Sequence, residues 1–210
     1  YLEFYPLPLS PTICLIMLRE QLKNYKIILA SGSPRRQQFF RDLDLDFEIR
    51  LKETEEVYPP NLIEEDITNY LAVLKSDAFE GEIKNNEILI TSDTIVWHEN
   101  KALGKPKDYE DAFLMLQSLS NKTHKVITSV CFKTTNTTNV ISETTLVTFH
   151  PISDEQIKYY LDHYRPFDKA GSYGIQEWIG FVGVAKIEGS YPNVMGLPVD
   201  KVFQHLQNST

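Results

Sequence analysis

The stretch that most constrains the fold of this chain is "KIILASGSPRRQQFF", residues 26–40. Its first part, Lys26 to Ser31, is a short apolar run that ends at Gly32, which predicts a buried β-strand. Ser33 followed by Pro34 is typical of a helix start, with serine as the N-cap and proline in the first helical position. The segment therefore predicts a strand, a turn and a helix in succession, as in α/β proteins.

The rest of the chain continues this mixture of strands and helices. Apolar runs predict strands at 47–51, 87–92, 124–134 and 141–152. The strand at 87–92 leads into Asp93 and Thr94, and a second strand follows these two residues and turns back through "HENK". Helical spacing predicts helices at 63–79, after an Asp108 cap, after a Ser153 cap and at 199–207. The glycine-rich tail, 170–198, predicts short strands. Because strands and helices do not alternate strictly, we expect a mixed sheet flanked by helices, an α/β fold.

The 210-residue chain is long enough for one medium-sized domain, and its 42% hydrophobic residues indicate a folded protein. We expect residues 17–210 to form that single domain. Met17 resembles a natural start, so residues 1–16 are expected to be an upstream or added extension outside the fold. The extension lacks the basic start of a signal peptide and is interrupted by prolines, which favours a cytoplasmic protein.

The net charge of −8 argues against broad binding to nucleic acid or anionic membranes, although a small basic pocket could hold a phosphate. No apolar run reaches the roughly 20 residues of a transmembrane helix. Cys14 and Cys131 are too few and too far apart for a disulfide framework, and we expect both to be reduced. The histidines lack the spacing of a metal site. A small anionic ligand is the partner class that composition leaves open.

The turn of residues 31–36, Ser-Gly-Ser-Pro-Arg-Arg, could bind phosphate. Ser31 and Ser33 offer hydroxyls, the helix start offers backbone N–H groups, and Arg35 and Arg36 offer guanidiniums. On its own, the commoner explanation is a capped helix with two solvated arginines. The turn matches neither the P-loop nor the dinucleotide-binding glycine motif, so it leaves both interpretations open.

Four further polar residues are candidates for chemistry. Asp93 ends the apolar run "EILITS", where a buried carboxylate needs a hydrogen bond, a charged partner or a metal, unless it is a simple capping or turn residue. Lys105 in "LGKP" and Lys75 beside an apolar helix stripe could each be ordinary surface lysines. Gln176, in "DKAGSYGIQE", could hydrogen-bond a base edge, or the glycines around it could serve only sheet geometry.

Several segments, taken together and in order, resemble the Maf family of nucleoside triphosphate pyrophosphatases. They are "LASGSPRR" (29–36), "EE" (55–56), "LAVLKSDA" (71–78), "SDTIV" (92–96), "LGKP" (103–106), "LSNKTHKVITSV" (119–130), "DKAGSYGIQ" (168–176) and "VMGLP" (194–198). Each segment is weak alone, but jointly they are specific and span nearly all of the expected domain.

The resemblance implies a two-lobed fold with a central cleft, similar to the inosine triphosphate pyrophosphatases. It implies hydrolysis of a nucleoside triphosphate between the α- and β-phosphates, with Mg²⁺ or Mn²⁺, by a cytoplasmic homodimer. Asp93 would accept a proton from the attacking water. The phosphates would be bound by Ser31, Ser33, Arg36, Lys75 and Lys105, and the metal by Glu56 and Asp93. The chemistry agrees, because phosphoryl-type transfer needs cations around the oxygens and a carboxylate near the water.

Three residues bear on substrate choice. At the positions of Arg35, Thr94 and Gln176 this chain resembles the branch of the family that acts on dTTP and UTP. The branch that acts on 7-methyl-GTP has Trp at the first of these positions, Gln at the second and a Glu-containing segment at the third. Glu177 stands where many relatives have glycine, and we expect it to contact a metal or a ribose, or to face water. Two alternatives stay open: a non-enzymatic nucleotide-binding regulator linked to cell division, and an enzyme similar to the inosine triphosphate pyrophosphatases.

Overall fold

The computed structural model describes residues 18–208. Residues 18–22 are helical (α1). The other helices are α2 (Pro34–Asp42), α3 (Glu65–Asp77), α4 (Tyr109–Leu119), α5 (Asp154–Tyr164), α6 (Trp178–Gly183), α7 (Tyr191–Val194) and α8 (Val199–Asn208), with a 3-10 turn at Ala170–Ser172. The strands are β1 (Lys26–Leu29), β2 (Phe47–Ile49), β3 (Glu87–His98), β4 (Lys101–Leu103), β5 (Thr123–Lys133), β6 (Thr138–Phe149) and β7 (Val184–Glu188). The expected extension, residues 1–16, lies outside the described residues.

The seven strands form one mixed sheet in the order β2-β1-β3-β5-β6-β7, with β4 paired to β3. β1 is parallel to both β2 and β3. The remaining pairs are antiparallel, and the long strands β3, β5 and β6 supply most of the ladder. The prediction of a mixed α/β sheet flanked by helices is confirmed.

The predicted helix starts are confirmed by their hydrogen bonds. The Ser33 side chain accepts from the backbone N–H of Arg36, and Pro34 opens α2. Asp108 caps α4 in the same way. Ser153 caps α5 in a full capping box with Gln156. These caps use only neighbouring residues, which is why the sequence alone locates them.

Two predictions about strands were wrong in detail. The predicted pair of strands around Asp93 is one uninterrupted strand, β3, so Asp93 lies within the sheet rather than between strands. The glycine-rich tail contains one strand, β7, but its other regular elements are the 3-10 turn and the short helices α6 and α7. A Cβ at Gly180 would lie 1.7 Å from the carbonyl oxygen of Ile175, so this glycine is required by close packing. Local sequence does not reveal such a tertiary contact.

Among the described residues, the two largest of four apolar clusters form two cores along the sheet. The first joins β1, α2 and α8 and includes Phe40 and Ile90. The second joins α4, α5 and the 3-10 turn and includes Val96 and Tyr160. Burying each large apolar side chain stabilises the fold by roughly 1.5–3 kcal/mol. We call the parts of the protein built around the first and the second core the first and the second lobe. Because β3 contributes Ile90 to the first core and Val96 to the second, the residues between them lie where the two lobes meet.

Cys131 is a free, buried thiol, whereas Cys14 lies outside the described residues. Within residues 18–208, no helix is both long enough and apolar enough to cross a bilayer.

Candidate active site

The site begins with a gap in the sheet beside β3. On the edge of β3 that faces away from β5, β1 pairs with β3 only as far as Leu29 opposite Ile90, and β4 begins to pair at Leu103 opposite Val96. Among the described strands, none pairs with residues 91–95 on this edge, while β5 covers the other edge. Ligands of open α/β sheets bind beyond the carboxyl ends of strands, where neighbouring chains diverge. A cleft of about 700 Å³ opens at this gap.

Asp93 lies at the middle of the gap and is only 6% exposed. Its Oδ1 accepts a hydrogen bond from Lys75 Nζ at 2.6 Å, and the same ammonium lies 3.0 Å from Glu56 Oε1. Asp93 Oδ2 accepts no hydrogen bond from any described residue, although Asp93 lines the cleft. A buried carboxylate with one oxygen paired and one oxygen available is suited to accept a proton from a bound water.

Glu56 reaches the site from an irregular segment, residues 50–64, that links β2 to α3. Lys52, Thr54, Glu56 and Tyr58 all line the cleft, so alternate residues of an extended chain face inward. Burial would raise the pKa of Glu56, but the charges of Lys75, Lys105 and Arg36 outweigh it and the pKa falls below its ordinary value. The sequence does not reveal this alternation, because polar and charged residues occupy both sets of positions, with Glu53 and Glu55 between the residues that face inward.

Arg36 occupies the gap in the sheet edge. It donates from Nη1 to the Ser92 carbonyl at 3.0 Å, from Nη2 to Thr94 Oγ1 at 3.0 Å, and from Nε to the Gly196 carbonyl at 2.8 Å. Burial lowers the pKa of Arg36, and the charge of Asp93 offsets part of this effect. Arg36 therefore holds the Ser92 carbonyl and the Thr94 side chain on either side of Asp93, with two of its five N–H donors still available to a ligand.

Arg35 and Thr94 are also held by protein groups. Arg35 donates from Nε to the Met195 carbonyl at 3.3 Å, and its Nη1 lies 3.6 Å from Asp168 Oδ2. The Thr94 hydroxyl lies 2.9 Å from Thr128 Oγ1 in addition to its bond from Arg36. Arg35 thus connects α2 to the segments that contain Met195 and Asp168, and Thr94 connects β3 to β5 and to α2.

The turn before α2 brings the predicted serines to the cleft. Ser31 is 7% exposed, and its Oγ accepts from the backbone N–H of Ser33 at 3.3 Å. Ser33 caps α2, so the positive end of this nine-residue helix points toward the cleft that Ser33 and Pro34 line.

All ten residues predicted for the site line this one cleft: Ser31, Ser33, Arg35, Arg36, Glu56, Lys75, Asp93, Thr94, Lys105 and Gln176. The cleft is lined by six basic residues (Arg35, Arg36, Lys52, Lys75, Lys105, Lys169) and three acidic ones (Glu56, Asp93, Asp168). The chain as a whole has a net charge of −8, so the cleft concentrates positive charge against that background. This polarity suits a polyanionic ligand.

Glu177 does not lie where the sequence suggested. Its Oε1 lies 3.2 Å from Lys169 Nζ, and its Oε2 accepts a hydrogen bond from the buried Tyr160 hydroxyl. Only 18% of its side chain is exposed. The expectation that Glu177 faces water, a metal or a ribose is therefore wrong, because both carboxylate oxygens bind groups of the protein. Lys169 was not among the predicted site residues, although it lines the cleft and pairs with its neighbour Asp168 and with Glu177.

The oxygen ligands for a divalent cation are limited. Among residues 18–208 no group of three or more His, Cys, Asp or Glu residues could hold a metal. Glu56 and Asp93 share the Lys75 ammonium, and each has one carboxylate oxygen that accepts no hydrogen bond from the described chain. This donor set fits Mg²⁺, which commonly binds one or two carboxylates together with substrate phosphates and water.

Comparison with known proteins identifies the family of this chain. The family model described as Maf-like protein matches residues 26–209. The dTTP/UTP pyrophosphatase of Flavobacterium johnsoniae is 68% identical over 190 residues, which cover 90% of this chain and 98% of the relative. The dTTP/UTP pyrophosphatase of Flavobacterium psychrophilum is 66% identical over 194 residues, which cover 92% of this chain and 100% of the relative.

A solved structure supports the same fold. The Staphylococcus aureus Ham1 protein matches with a TM-score of 0.50 and 15% identity, over 88% of this chain and 100% of that protein. At that identity the likeness concerns the fold alone. The family match and the two relatives carry the assignment further: the chain belongs to the Maf family.

Proposed function

We propose that this chain hydrolyses dTTP and UTP, and modified pyrimidine nucleotides of the same shape, to the nucleoside monophosphate and pyrophosphate. The observation that carries the proposal is Asp93, a buried carboxylate with one available oxygen in a cleft dominated by basic side chains. The names of relatives with 68% and 66% identity support the substrate class.

The chemistry of the reaction assigns Asp93 a specific task. The oxygen of a water molecule forms a bond to a phosphorus atom beside the α–β bridging oxygen, and the bond between that phosphorus and the bridging oxygen breaks. The proton released by the water passes to Asp93 Oδ2. Positioning and charge neutralisation do most of the catalytic work in such transfers, and a positioned general base adds to them.

The phosphate chain would be bound by the first lobe and the residues that face it. Lys75 and Lys105 supply ammonium groups, Ser31 and Ser33 supply hydroxyls, and Arg36 supplies its two remaining N–H donors. A divalent cation, Mg²⁺ or Mn²⁺, would be held by Glu56 and Asp93 and would neutralise charge on the phosphates. The Lys75 ammonium keeps those two carboxylates together.

Substrate choice would come from three residues. Gln176 lines the cleft with Tyr173 and Met195, and its amide can both donate to and accept from a base edge. Arg35 and Thr94 would act mainly by fixing Met195, Asp168 and Thr128, which they contact. A nucleotide-pool role as a cytoplasmic homodimer completes the proposal.

The proposal is tested by a substrate panel with the purified full chain. We expect dTTP and UTP to be consumed with Mg²⁺ or Mn²⁺, with one pyrophosphate formed for each monophosphate. Purine triphosphates and 7-methyl-GTP serve as comparison substrates, and light scattering after gel filtration measures the oligomeric state. Direct release of orthophosphate would refute the assigned bond. Nucleotide binding with no turnover under any cation would refute the enzyme and favour a regulator.

A further inference from the structure

Lys169 is a buried cation of the cleft for which the mechanism above has no task. The residue is 8% exposed and lines the cleft. Its Nζ lies 2.7 Å from Asp168 Oδ1 and 3.2 Å from Glu177 Oε1. A protonated lysine has three N–H donors, so one donor is left without an acceptor among the described residues.

The protein holds the partner of Lys169 rigidly. Tyr160, which is fully buried, donates to Glu177 Oε2, and the same hydroxyl accepts from the backbone N–H of Gly174 at 3.0 Å. A Cβ at Gly174 would lie 2.7 Å from the carboxyl carbon of Glu177, so glycine leaves the space that this carboxylate fills. Glu177 is thus locked on both sides, and its other oxygen fixes the direction of the Lys169 ammonium.

The position of Lys169 in the cleft wall follows from two contacts of its segment. The backbone N–H of Gly171 donates to the Gly104 carbonyl at 3.1 Å, next to Lys105. In the other direction the segment continues to Gln176, which also lines the cleft. Lys169 therefore belongs to the part of the wall between a proposed phosphate ligand and the proposed base contact. Between the base and the outer phosphates of a nucleotide lie the ribose and the α-phosphate, and of these two groups only the α-phosphate is an anion that an ammonium would bind.

We propose that Lys169 binds the α-phosphate of the substrate, with Glu177 and Tyr160 as residues that position it. The inference rests on the proposed function and deepens it. The ammonium keeps its proton and donates its third N–H to an α-phosphate oxygen. That contact persists in the monophosphate product and is absent from the pyrophosphate product.

Inhibition by the two products, dTMP and pyrophosphate, distinguishes a contact with the α-phosphate from a general effect of charge, because only dTMP contains the α-phosphate. We expect Lys169→Met to weaken competitive inhibition by dTMP about 10- to 100-fold, the usual loss for a hydrogen bond to a charged group. Inhibition by pyrophosphate should stay near the wild-type value, and kcat/KM for dTTP should fall with dTMP affinity. Equal weakening of both inhibitors, or no change in either, would overturn the assignment.

A matched control is available in Lys133. It is also 8% exposed and also lies between two carboxylates, 2.6 Å from Asp77 Oδ1 and 2.6 Å from Glu80 Oε2, but it does not line the cleft. Lys133→Met should leave kcat/KM and both inhibition constants unchanged. A loss of dTMP inhibition in this variant as well would assign the effect to the fold and overturn the proposal.

A gentler variant covers the case in which Lys169→Met does not fold. Glu177→Gln keeps Lys169 and Asp168 but weakens the positioning contact, so dTMP inhibition should weaken a few-fold and pyrophosphate inhibition should not. If the wild type hydrolyses dTTP, unchanged dTMP inhibition in folded Glu177→Gln would overturn this inference alone. A wild-type chain that neither binds nor hydrolyses nucleotides would overturn the proposed function as well.

Discussion

Two buried carboxylates stand six positions apart on strand β3, and their surroundings differ. Glu87, 2% exposed, accepts from Arg50 at both oxygens, at 2.6 and 3.0 Å, and from the backbone N–H of Lys84 at 3.1 Å. Asp93, 6% exposed, has one oxygen on Lys75 and the other available at the cleft. Burial is common to both, so what separates a structural carboxylate from a chemical one here is the available oxygen.

The difference between Glu87 and Asp93 comes mostly from Arg50, the partner of Glu87. The planar guanidinium of Arg50 matches the two oxygens of Glu87 and neutralises them together, which lowers the pKa of Glu87 to about 2. The ammonium of Lys75 is a point charge that contacts one oxygen of Asp93 and is shared with Glu56. A shared point charge pairs with Asp93 in the cleft without using all of its acceptor capacity.

The largest expected effect is on turnover at Asp93. Asp93→Asn keeps the size of the side chain but cannot accept the proton of water, so kcat for dTTP should fall about 10²- to 10⁴-fold while substrate binding is largely kept. Steady-state kinetics with pyrophosphate detection measure the loss, and calorimetry measures binding. Near-normal kcat in this variant would mean that Asp93 is not the base.

The matching change at Glu87 should act on stability instead. Glu87→Gln removes the carboxylate that binds both Nη atoms of Arg50 and leaves this guanidinium with Glu48 as its charged partner, which should cost about 2 kcal/mol of unfolding free energy. Urea unfolding measures the loss, with Asp93→Asn as the comparison variant. At a temperature where the variant is folded, kcat should be that of the wild type. A stable but inactive Glu87→Gln would contradict the division between the two carboxylates.

Removal of Lys75 tests whether the shared ammonium matters to chemistry. Lys75→Met should lower kcat/KM about 10- to 100-fold, because the phosphate site loses a cation and Asp93 loses the donor on Oδ1. Lys133→Met is the control, since that ammonium lies between Asp77 and Glu80 away from the cleft. Equal losses of activity in Lys75→Met and Lys133→Met would mean that the Lys75 ammonium has no specific part in the chemistry of the cleft.

The smallest expected effect is a step in stability at acid pH. The folded pKa of Glu87 lies below its ordinary value of 4.5, so its contribution is present above pH 4.5 and is lost as the pH falls toward about 2. Between pH 4.5 and 3 the wild type should lose about 2 kcal/mol through this group. Over this pH range, urea unfolding of Glu87→Gln should show about 2 kcal/mol less loss of stability than the wild type, and an equal loss in both proteins would rule out this source.

The sequence predicts features that depend on near neighbours. The caps at Ser33, Asp108 and Ser153 follow from adjacent residues, and the hairpin through "HENK" follows from a turn in which Glu99 and Asn100 both have positive φ. Asp93 could be identified because a carboxylate in an apolar run needs an explanation. Glu87 begins the same run and was not singled out, because its partner Arg50 is distant in sequence.

Features that depend on distant contacts could not be predicted. Glu177 contacts Tyr160, 17 positions away, and only the fold brings the two together. The segment containing Lys52, Thr54 and Tyr58 lines the cleft without regular structure of its own, so no periodicity in hydrophobicity identifies it. The family resemblance nominated ten cleft residues and still left these out.

The pairing of β3 with β5 has a mechanical consequence. Their ladder continues from Leu89 opposite Lys133 to Trp97 opposite Lys125, and the two strands run through both cores. The two strands join the lobes through continuous antiparallel pairing, so a rotation of one lobe away from the other would have to bend this hydrogen-bonded pair of strands. We therefore expect the width of the cleft to change little when a nucleotide binds, so that little binding energy would be consumed in closing the enzyme around it.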